Sequence, residues 1–276
     1  MRISGTTRII AHLGFPTESF RAPLIYNPYF DRHDIDALVV PMGCKVDDLA
    51  GLFPALTRLS NFLGCLITMP HKVAVVELLD DVSTTVKITG SCNAVRLDQN
   101  GRLIGDMFDG DGFVRGVQHK GRSLDGASVL VVGCGGVGSA IAASLAAADV
   151  ARLGLRDADR SKLDALATRL KQHYPRVELD LNAEATSDWN VIVNATPLGM
   201  KPNDPLPIDL AQVPSSTLVG EVVMTKQITP FLEVARQRGC EIQIGLDMLF
   251  EQIPAYLEFF GLPTTTPAEL RAIALT

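Results

Sequence analysis

The sequence lacks the features that would indicate a nucleic acid or a metal as its partner. Among its 276 residues no run of lysine or arginine is long enough to follow a phosphate backbone, and the formal net charge is −6. We therefore expect no nucleic-acid partner. Cysteine is scarce and shows no C-x-x-C spacing, so neither a disulfide framework nor a zinc site is implied. The five cysteines, which we expect to be small buried hydrophobes in a reducing compartment, are Cys44, Cys65, Cys92, Cys134 and Cys240.

Targeting and membrane signals are also scarce. The N-terminus, MRISGTTRIIAHLGFP, has no hydrophobic region followed by a small-residue cleavage site, so the expected location is the cytoplasm. One stretch, 126–148, carries no charge and is long enough to span a bilayer. Its four glycines within six positions follow strand-like valines, which favours a buried core segment and no membrane partner. A length of 276 residues predicts about two domains.

The glycine-rich stretch predicts a dinucleotide site. An apolar strand, 129–132, runs into Gly133, Gly135 and Gly138, which fit G-x-G-x-x-G, and an Ala-rich helix follows. The first glycine allows a tight turn, the second lets the backbone approach a pyrophosphate, and the third lets helix and strand pack closely. The helix N-terminus offers free N–H groups to the phosphates. The glycines alone would also suit a plain tight turn, but the flanking strand and helix favour dinucleotide binding.

The next strand ends in Arg156 and Asp157, which bear on the choice of dinucleotide. Asp157 lies about 20 residues after the glycines, where the acid that binds the ribose belongs. A carboxylate there accepts the ribose hydroxyls and repels a 2′-phosphate, which favours NAD. Arg156 and Arg160 could attract such a phosphate, so NADP remains the alternative.

Apolar periodicity predicts strands alternating with helices along the whole chain. Strands are expected at 8–13, 37–41, 64–72, 177–181, 191–195 and 217–224, and a hairpin at 93–105 turns on Asn100-Gly101. Helices are expected at about 19–28, 46–60 with a kink at Pro54, 72–79, 161–170 and 229–238, and again after Gly245. This alternation is typical of an α/β, doubly wound fold.

Three acidic residues, Asp106, Asp109 and Asp111, are spaced among glycines. The twelve-position pattern of a calcium loop, with its closing glutamate, is absent. A catalytic or ligand-holding carboxylate at a domain boundary fits better, and no metal site is expected.

Seven motifs in one order resemble the shikimate dehydrogenases, including the related quinate and shikimate dehydrogenases, over essentially the whole chain. They are Gly14-x-Pro16, Thr68-x-Pro70-x-Lys72, Gly90-x-x-Asn93, Asp109-x-x-Gly112, the GCGGVG loop, Asn194 to Met200, and Gly245-x-x-Met248-Leu249-x-x-Gln252. The resemblance implies a C-terminal-half Rossmann-like doubly wound parallel sheet at 107–244. It also implies an N-terminal α/β substrate domain at 1–106, completed by helices in 245–276, with the substrate in the cleft.

The resemblance also implies a reaction and its residues. A hydride passes between a ring alcohol of a shikimate- or quinate-like cyclic polyol and the nicotinamide. Lys72 transfers the hydroxyl proton, Asp109 orients it and the diol, and Thr68, Asn93 and Gln252 bind the substrate. The implied cofactor-binding residues are Gly133, Gly135, Gly136, Val137, Gly138, Arg156, Asp157, Arg160, Thr196, Leu198, Met200, Val222, Gly245, Met248 and Leu249.

The departures from the family pattern cluster at the substrate carboxylate. Phe20 and Ala22 replace two serines, and Met224 replaces a tyrosine; all three are assigned to the substrate site. Leu66 replaces an asparagine, and Met107-Phe108 replaces Asn-Thr. A buried carboxylate without donors would cost roughly 2 to 4 kcal/mol. We therefore expect a cyclic or related diol that is less polar at this end, unless Arg21 reaches in to hold an acid.

The choice of cofactor and the choice between an enzyme and a sensor each have an alternative. NADP-using relatives carry Asn-Arg-Thr where this chain has Leu155-Arg156-Asp157, which again favours NAD. A non-catalytic sensor of NAD or of another ligand on the same scaffold is the alternative function, although a sensor has no need of Lys72 and Asp109. The chain is expected to be a monomer or a homodimer with a small-molecule substrate.

Overall fold

The computed structural model describes residues 3–18, 20–186 and 188–274. The chain divides into two compact units, Met1–Phe108 with Ile253–Thr276 and Asp109–Gln252. These limits lie two and eight residues after the predicted domain limits at 106 and 244. The second boundary falls inside a helix, Gly245–Phe259.

The first unit is built on a mixed six-stranded sheet with the strand order β2-β1-β3-β5-β6-β4. β1 pairs in parallel with β2 and β3, whereas β5 is antiparallel to β3 and β6. Ile10, Ala11 and Leu13 of β1 are fully buried because this strand is covered on both faces. The elements are β1 (Arg8–Gly14), α1 (Ala22–Arg32), β2 (Ala37–Gly43), α2 (Leu49–Leu56), β3 (Phe62–Ile67), β4 (Asp81–Val82), α3 (Thr84–Thr89), β5 (Ala94–Leu97) and β6 (Leu103–Asp106).

Local backbone chemistry explains where these elements differ from expectation. The predicted start of the first helix, Ser19, lies outside the described residues, and α1 continues past Pro28 to Arg32. Pro28 is exposed, so the carbonyl that it leaves without an intrahelical donor can be hydrated. The predicted helix at 46–60 is a 3-10 turn, Val46–Asp48, followed by α2, with Pro54 inside α2. The run after Lys72 forms only the 3-10 helix Ala74–Leu78.

The predicted hairpin is confirmed. β5 and β6 pair antiparallel, and Gly101 takes a positive φ of 74° in the turn. The Asp98 carboxylate accepts the main-chain N–H groups of Asn100 and Arg102 at 2.8 and 2.9 Å. These bonds fix the turn in the way expected of an Asp at this position.

The second unit contains a parallel six-stranded sheet with the order β12-β11-β10-β7-β8-β9. This is the strand order of a doubly wound dinucleotide-binding fold. All the strands are parallel, and the strands that follow β7 in the chain are added on one side of it up to β9 and on the other side from β10 onward. The predicted fold class is therefore confirmed. The elements are α4 (Asp109–His119), β7 (Ser128–Val132), α5 (Gly136–Ala147), β8 (Arg152–Arg156), α6 (Arg160–His173), β9 (Glu178–Asp180), β10 (Val191–Asn194), β11 (Leu218–Glu221), α7 (Pro230–Gln237), β12 (Glu241–Gln243) and α8 (Gly245–Phe259), with α9 (Pro267–Ala274) in the first unit.

Helix α4 was not expected, because its glycines are unfavourable in a helix interior. The structure shows why they are there. A Cβ at Gly110 would lie 2.1 Å from the carbonyl oxygen of Ala140, and one at Gly112 would lie 2.5 Å from that of Met248. The glycines therefore permit α4 to pack against α5 and α8 at backbone distance.

The uncharged stretch at 126–148 is accounted for by β7 and α5. None of the helices described is long and apolar enough to cross a membrane.

Candidate active site

The glycine loop after β7 has the geometry of a pyrophosphate cradle. Gly133 takes a φ of 105°, and a Cβ at Gly138 would lie 1.9 Å from the Gly133 carbonyl oxygen. A Cβ on Gly135 or Gly136, at the N-terminus of α5, would have no other heavy atom within 4 Å. The loop therefore leaves room for phosphates against free main-chain N–H groups, which fits the dinucleotide expected there.

Asp157 ties the glycine loop to the end of β8. Its Oδ2 accepts the main-chain N–H of Cys134 at 2.6 Å, and its Oδ1 accepts that of Asp159 at 2.8 Å. Because each carboxylate oxygen has two lone pairs, the group can still accept ribose hydroxyls.

The two arginines near this carboxylate have partners of their own. The Arg156 guanidinium donates to the Ala183 carbonyl oxygen at 3.2 Å. Arg160 forms an ion pair with Asp164, one helical turn later, at 3.0 Å. Asp157, in contrast, contacts the glycine loop directly through its carboxylate.

The loop after β10 borders the glycine loop. A Cβ on Gly133 would lie 2.9 Å from the Ala195 carbonyl oxygen. The fully buried Asn194 amide accepts from the Thr196 N–H at 3.0 Å and donates to the Leu198 carbonyl oxygen at 3.0 Å. These bonds hold the turn that contains Thr196 and Leu198, while Met200 is half exposed.

The remaining predicted cofactor residues lie where β11 ends and α8 begins. The Val222 N–H donates to the Asn194 carbonyl oxygen at 3.1 Å. A Cβ on Gly245 would lie 2.2 Å from the Val223 carbonyl oxygen, so glycine is needed for this close approach. Met248 is buried and Leu249 half-buried on α8, and Val137 is half-buried on α5.

Glu221 is a buried acid in this unit that the sequence analysis missed. It ends β11 with no exposed surface, and its Oε2 accepts the Thr229 hydroxyl at 2.8 Å. Its Oε1 has no hydrogen-bond partner. Burial raises the pKa of Glu221 to about 7, although the side chains of Thr229 and Asn194 oppose this shift. The signal in the sequence was a lone acid in the apolar run at 218–224.

The predicted substrate residues of the first unit gather at the ends of β1 and β3. A Cβ on Gly14 would lie 2.4 Å from Thr68 Cγ2 and 3.0 Å from Phe20 Cζ. The Thr68 N–H donates to the Leu13 carbonyl oxygen at 2.9 Å. The structure therefore brings Thr68 and Phe20 together around Gly14.

Lys72 follows this loop and is half-buried. Its carbonyl oxygen accepts the Cys92 N–H at 2.7 Å, which fixes its main chain. The neighbouring His71 is buried, and its Nε2 bonds the Cys44 carbonyl oxygen at 2.7 Å. His71 therefore holds the loop in place, in line with its omission from the predicted site.

Buried polar side chains supply further predicted site residues in each unit. In the first unit, the Asn93 Oδ1 accepts the Phe108 N–H at 2.9 Å, and Asn93 is 1% exposed. In the second unit, Asp109 begins α4 with 6% of its surface exposed. Gln252 is 8% exposed, and its Oε1 has no protein hydrogen-bond partner. An orphaned acceptor of this kind fits a hydroxyl donor from a ligand.

The residues at the expected carboxylate end are apolar or exposed. Leu66 is buried, Ala22 begins α1 half-buried, and Met224 is 42% exposed. Arg21 is exposed at the N-cap of α1. Phe108 packs on Tyr256 and Phe259 of the same unit, with ring centroids 4.9 and 5.4 Å apart.

His12, on β1, was missed by the sequence analysis. Its ring stacks on Phe20 with centroids 4.0 Å apart, and its Nδ1 is buried without a hydrogen-bond partner. The available signal was a single histidine within an otherwise apolar strand.

The sequence is similar to those of known proteins. Residues 13–95 match the model of the shikimate dehydrogenase substrate binding domain. A shikimate dehydrogenase (NADP(+)) of Acidiphilium cryptum is 32% identical over 279 residues, covering 99% of this chain and 98% of that protein.

Two solved structures are similar over nearly the whole chain. The ligand-free 5-ketofructose reductase of Gluconobacter sp. strain CHM43 has a TM-score of 0.90 and 25% identity, covering 99% of each chain. Quinate dehydrogenase from Corynebacterium glutamicum in complex with NAD has a TM-score of 0.85 and 29% identity, covering 98% of this chain and 99% of that one. The chain therefore belongs to the shikimate dehydrogenase family and is an NAD(P)-dependent oxidoreductase that acts on CH–OH groups.

Proposed function

We propose that this enzyme interconverts a ring alcohol and its ketone on a polyhydroxylated substrate without a carboxylate, using NAD. Lys72 takes the hydroxyl proton during oxidation and returns it during reduction. Asp109 accepts a hydrogen bond from the neighbouring substrate hydroxyl and so orients the diol. The bound nicotinamide supplies the hydride acceptor or donor.

The observation that carries the proposal is the apolar character of the side chains beside the polar loop 68–72 in the first unit. Thr68 and Lys72 retain the groups that bind and deprotonate a hydroxyl. Phe20, Ala22 and Leu66 offer no side-chain donor to a carboxylate. An acid bound against these side chains would lose its hydration without a replacement, at roughly 2 to 4 kcal/mol.

The similar 5-ketofructose reductase supports the same substrate class. Its named substrate is a polyhydroxylated diketone that has no carboxylate. We therefore infer that the substrate is recognised through hydroxyl and carbonyl oxygens, with Asn93 and Gln252 binding hydroxyls.

NAD is proposed as the preferred cofactor because of Asp157. Its carboxylate is fixed at the glycine loop by the Cys134 N–H. Ribose hydroxyls donate well to such a group, whereas a 2′-phosphate would be repelled by it. The residues of the loop after β10 and of the β11–α8 junction complete the cofactor site in this proposal.

The domain roles, location and assembly follow from the same reasoning. The first unit binds the substrate and the second binds the dinucleotide. The five cysteines are free and buried, which suits the reducing conditions of the cytoplasm. We propose that the protein is a monomer or a homodimer. Light scattering during gel filtration distinguishes these two states.

A substrate panel tests the proposal. The enzyme is assayed with 5-ketofructose and either reduced cofactor, and with shikimate or quinate and either oxidised cofactor, by following the absorbance of the reduced nicotinamide. We expect the highest kcat/KM with 5-ketofructose and NADH. A low KM for shikimate would overturn the substrate class, and a clear preference for NADPH would overturn the cofactor assignment. Tight NAD binding without any turnover would instead indicate a ligand sensor.

A further inference from the structure

His12 occupies the face of the first unit's sheet that carries the substrate residues. In the register of the parallel strands, His12 of β1 lies opposite Leu66 of β3. Side chains two residues apart on a strand share a face. His12 and Leu66 therefore share a face with Gly14, at the carboxyl end of β1, against which Thr68 packs.

The imidazole is buried here without a full set of hydrogen bonds. The ring stacks on Phe20 at an interplanar angle of 27°, and the residue is 9% exposed. Its Nδ1 has no partner. A buried polar group left in this condition destabilises the protein, so an incoming ligand oxygen that pairs with the ring recovers part of that free energy.

The charge state of His12 selects the kind of oxygen. Burial, and to a smaller extent the nearby Lys72 charge, lowers the pKa of His12 to about 4. At neutral pH the ring is therefore uncharged, with one N–H donor and one nitrogen acceptor. A hydroxyl, which both donates and accepts, matches such a ring, whereas a carboxylate finds no positive charge on it.

Other candidates for this role on the same surface lack the chemistry. Phe20 and Leu66 have no polar atom, and the ring of His71 bonds the Cys44 carbonyl oxygen. Among the described residues around Gly14, His12 is thus the aromatic residue that has a polar atom in need of a partner.

We propose that His12 contacts the substrate and determines specificity by hydrogen bonding to an uncharged hydroxyl or carbonyl oxygen at the end of the substrate that lies beside Phe20 and Leu66. This inference rests on the proposed function and deepens it, because it says which side chain recognises the end of the substrate that lacks a carboxylate. The preferred substrate then carries an oxygen, and not a bare hydrocarbon, beside Phe20.

The test compares wild type with His12→Leu, His12→Asn and the control Ile10→Val, which changes the same buried strand without a polar group. Each protein is assayed with 5-ketofructose, shikimate and quinate, and its thermal unfolding and NADH dissociation constant are measured. For whichever compound wild type turns over best, we expect His12→Leu to lower kcat/KM by about 10- to 100-fold. His12→Asn, which keeps a donor and an acceptor, should recover most of this loss, and Ile10→Val should stay within about twofold of wild type.

A kcat/KM within twofold of wild type in folded His12→Leu would overturn the role of His12 while leaving the proposed function intact. Equal losses in the Leu and Asn variants, with unchanged NADH binding, would also overturn it, because a purely steric role predicts them. If His12→Leu fails to fold, imidazole NMR signals of wild type decide: addition of 5-ketofructose should shift the His12 signals. If wild type turns over none of the three compounds, the proposed function fails, and an unmoved His12 signal then overturns this inference as well.

Discussion

The main-chain N–H of Cys134 donates a 2.6 Å hydrogen bond to the carboxylate of Asp157, which joins the glycine loop to the end of β8. The carboxylate that we expect to recognise the ribose thus also sets the conformation of the loop that faces the phosphates. In the proposed function, cofactor choice and loop geometry therefore depend on the same side chain.

Replacing Asp157 should change cofactor preference. Asp157→Asn keeps an acceptor for the Cys134 N–H but removes the charge that repels a 2′-phosphate. We expect the ratio of kcat/KM for NADH to that for NADPH to fall by at least about tenfold, the scale of one charged hydrogen bond. Steady-state kinetics with both cofactors measure this ratio, and Asp125→Asn, an exposed acid of the same unit, is the control. An unchanged ratio would show that Asp157 has only its structural role.

The glycines of the loop should separate into two classes. Gly138→Ala places a Cβ 1.9 Å from the Gly133 carbonyl oxygen, whereas Gly136→Ala faces open space. We expect Gly138→Ala to lower the free energy of unfolding by about 1 to 3 kcal/mol through overpacking. Gly136→Ala should unfold like wild type but bind NADH more weakly, since the methyl group lies where the phosphates approach. Urea unfolding and NADH titration test both, and equal stability of the two variants would contradict the packing argument.

Glu221 should make stability depend on pH. Burial raises the pKa of this acid from 4.5 to about 7, so between these values the folded protein holds a proton that the unfolded chain has released. The contribution of Glu221 to stability therefore falls as pH rises from about 4.5 to 7, by about 3 kcal/mol, and is constant above that. Glu221→Gln removes this dependence.

Urea unfolding of wild type and Glu221→Gln at pH 5 and pH 8 measures the effect. The loss of stability between the two pH values should be smaller in the variant by about 2.5 kcal/mol, since part of the full effect already lies below pH 5. Glu178→Gln, which alters an exposed acid, should behave like wild type. Parallel pH profiles for wild type and Glu221→Gln would show that the buried acid is already ionised at pH 5.

Restoring hydroxyls near Thr68 should restore affinity for acids. The double variant Phe20→Ser and Ala22→Ser supplies two donors where the family pattern has serines. We expect KM for shikimate to fall by about tenfold, the scale of one hydrogen bond to a charged group. Conversion of Phe20 to Leu with Ala22 unchanged is the control for loss of the ring. A KM for shikimate that does not move would mean that the carboxylate binds elsewhere.

The sequence revealed the second unit's fold because its signals are local. A strand, three glycines and a helix follow one another at 128–147, so their roles could be assigned from spacing. The hairpin at 93–105 was equally predictable, since the Asn100-Gly101 turn fixes its register. By contrast, α4 was hidden, because its glycines respond to Ala140 and Met248, which are distant in sequence.

Short motifs mark some residues of the candidate site and not others. Short patterns with fixed spacing contain Lys72, Asn93 and Asp109, and the roles of these residues stay a prediction. His12 and Glu221 carry no such pattern. Their importance comes from burial and from polar atoms without partners, and both properties arise only once distant strands have packed.

The most direct test of the account is the kcat of Lys72→Met, measured from the absorbance of reduced nicotinamide with the best substrate of wild type. Loss of the proton-transfer group should lower kcat by about 10²- to 10⁴-fold, with the NADH dissociation constant unchanged. Lys72→Met with wild-type kcat would contradict the account, because the hydroxyl proton would then be transferred by another group.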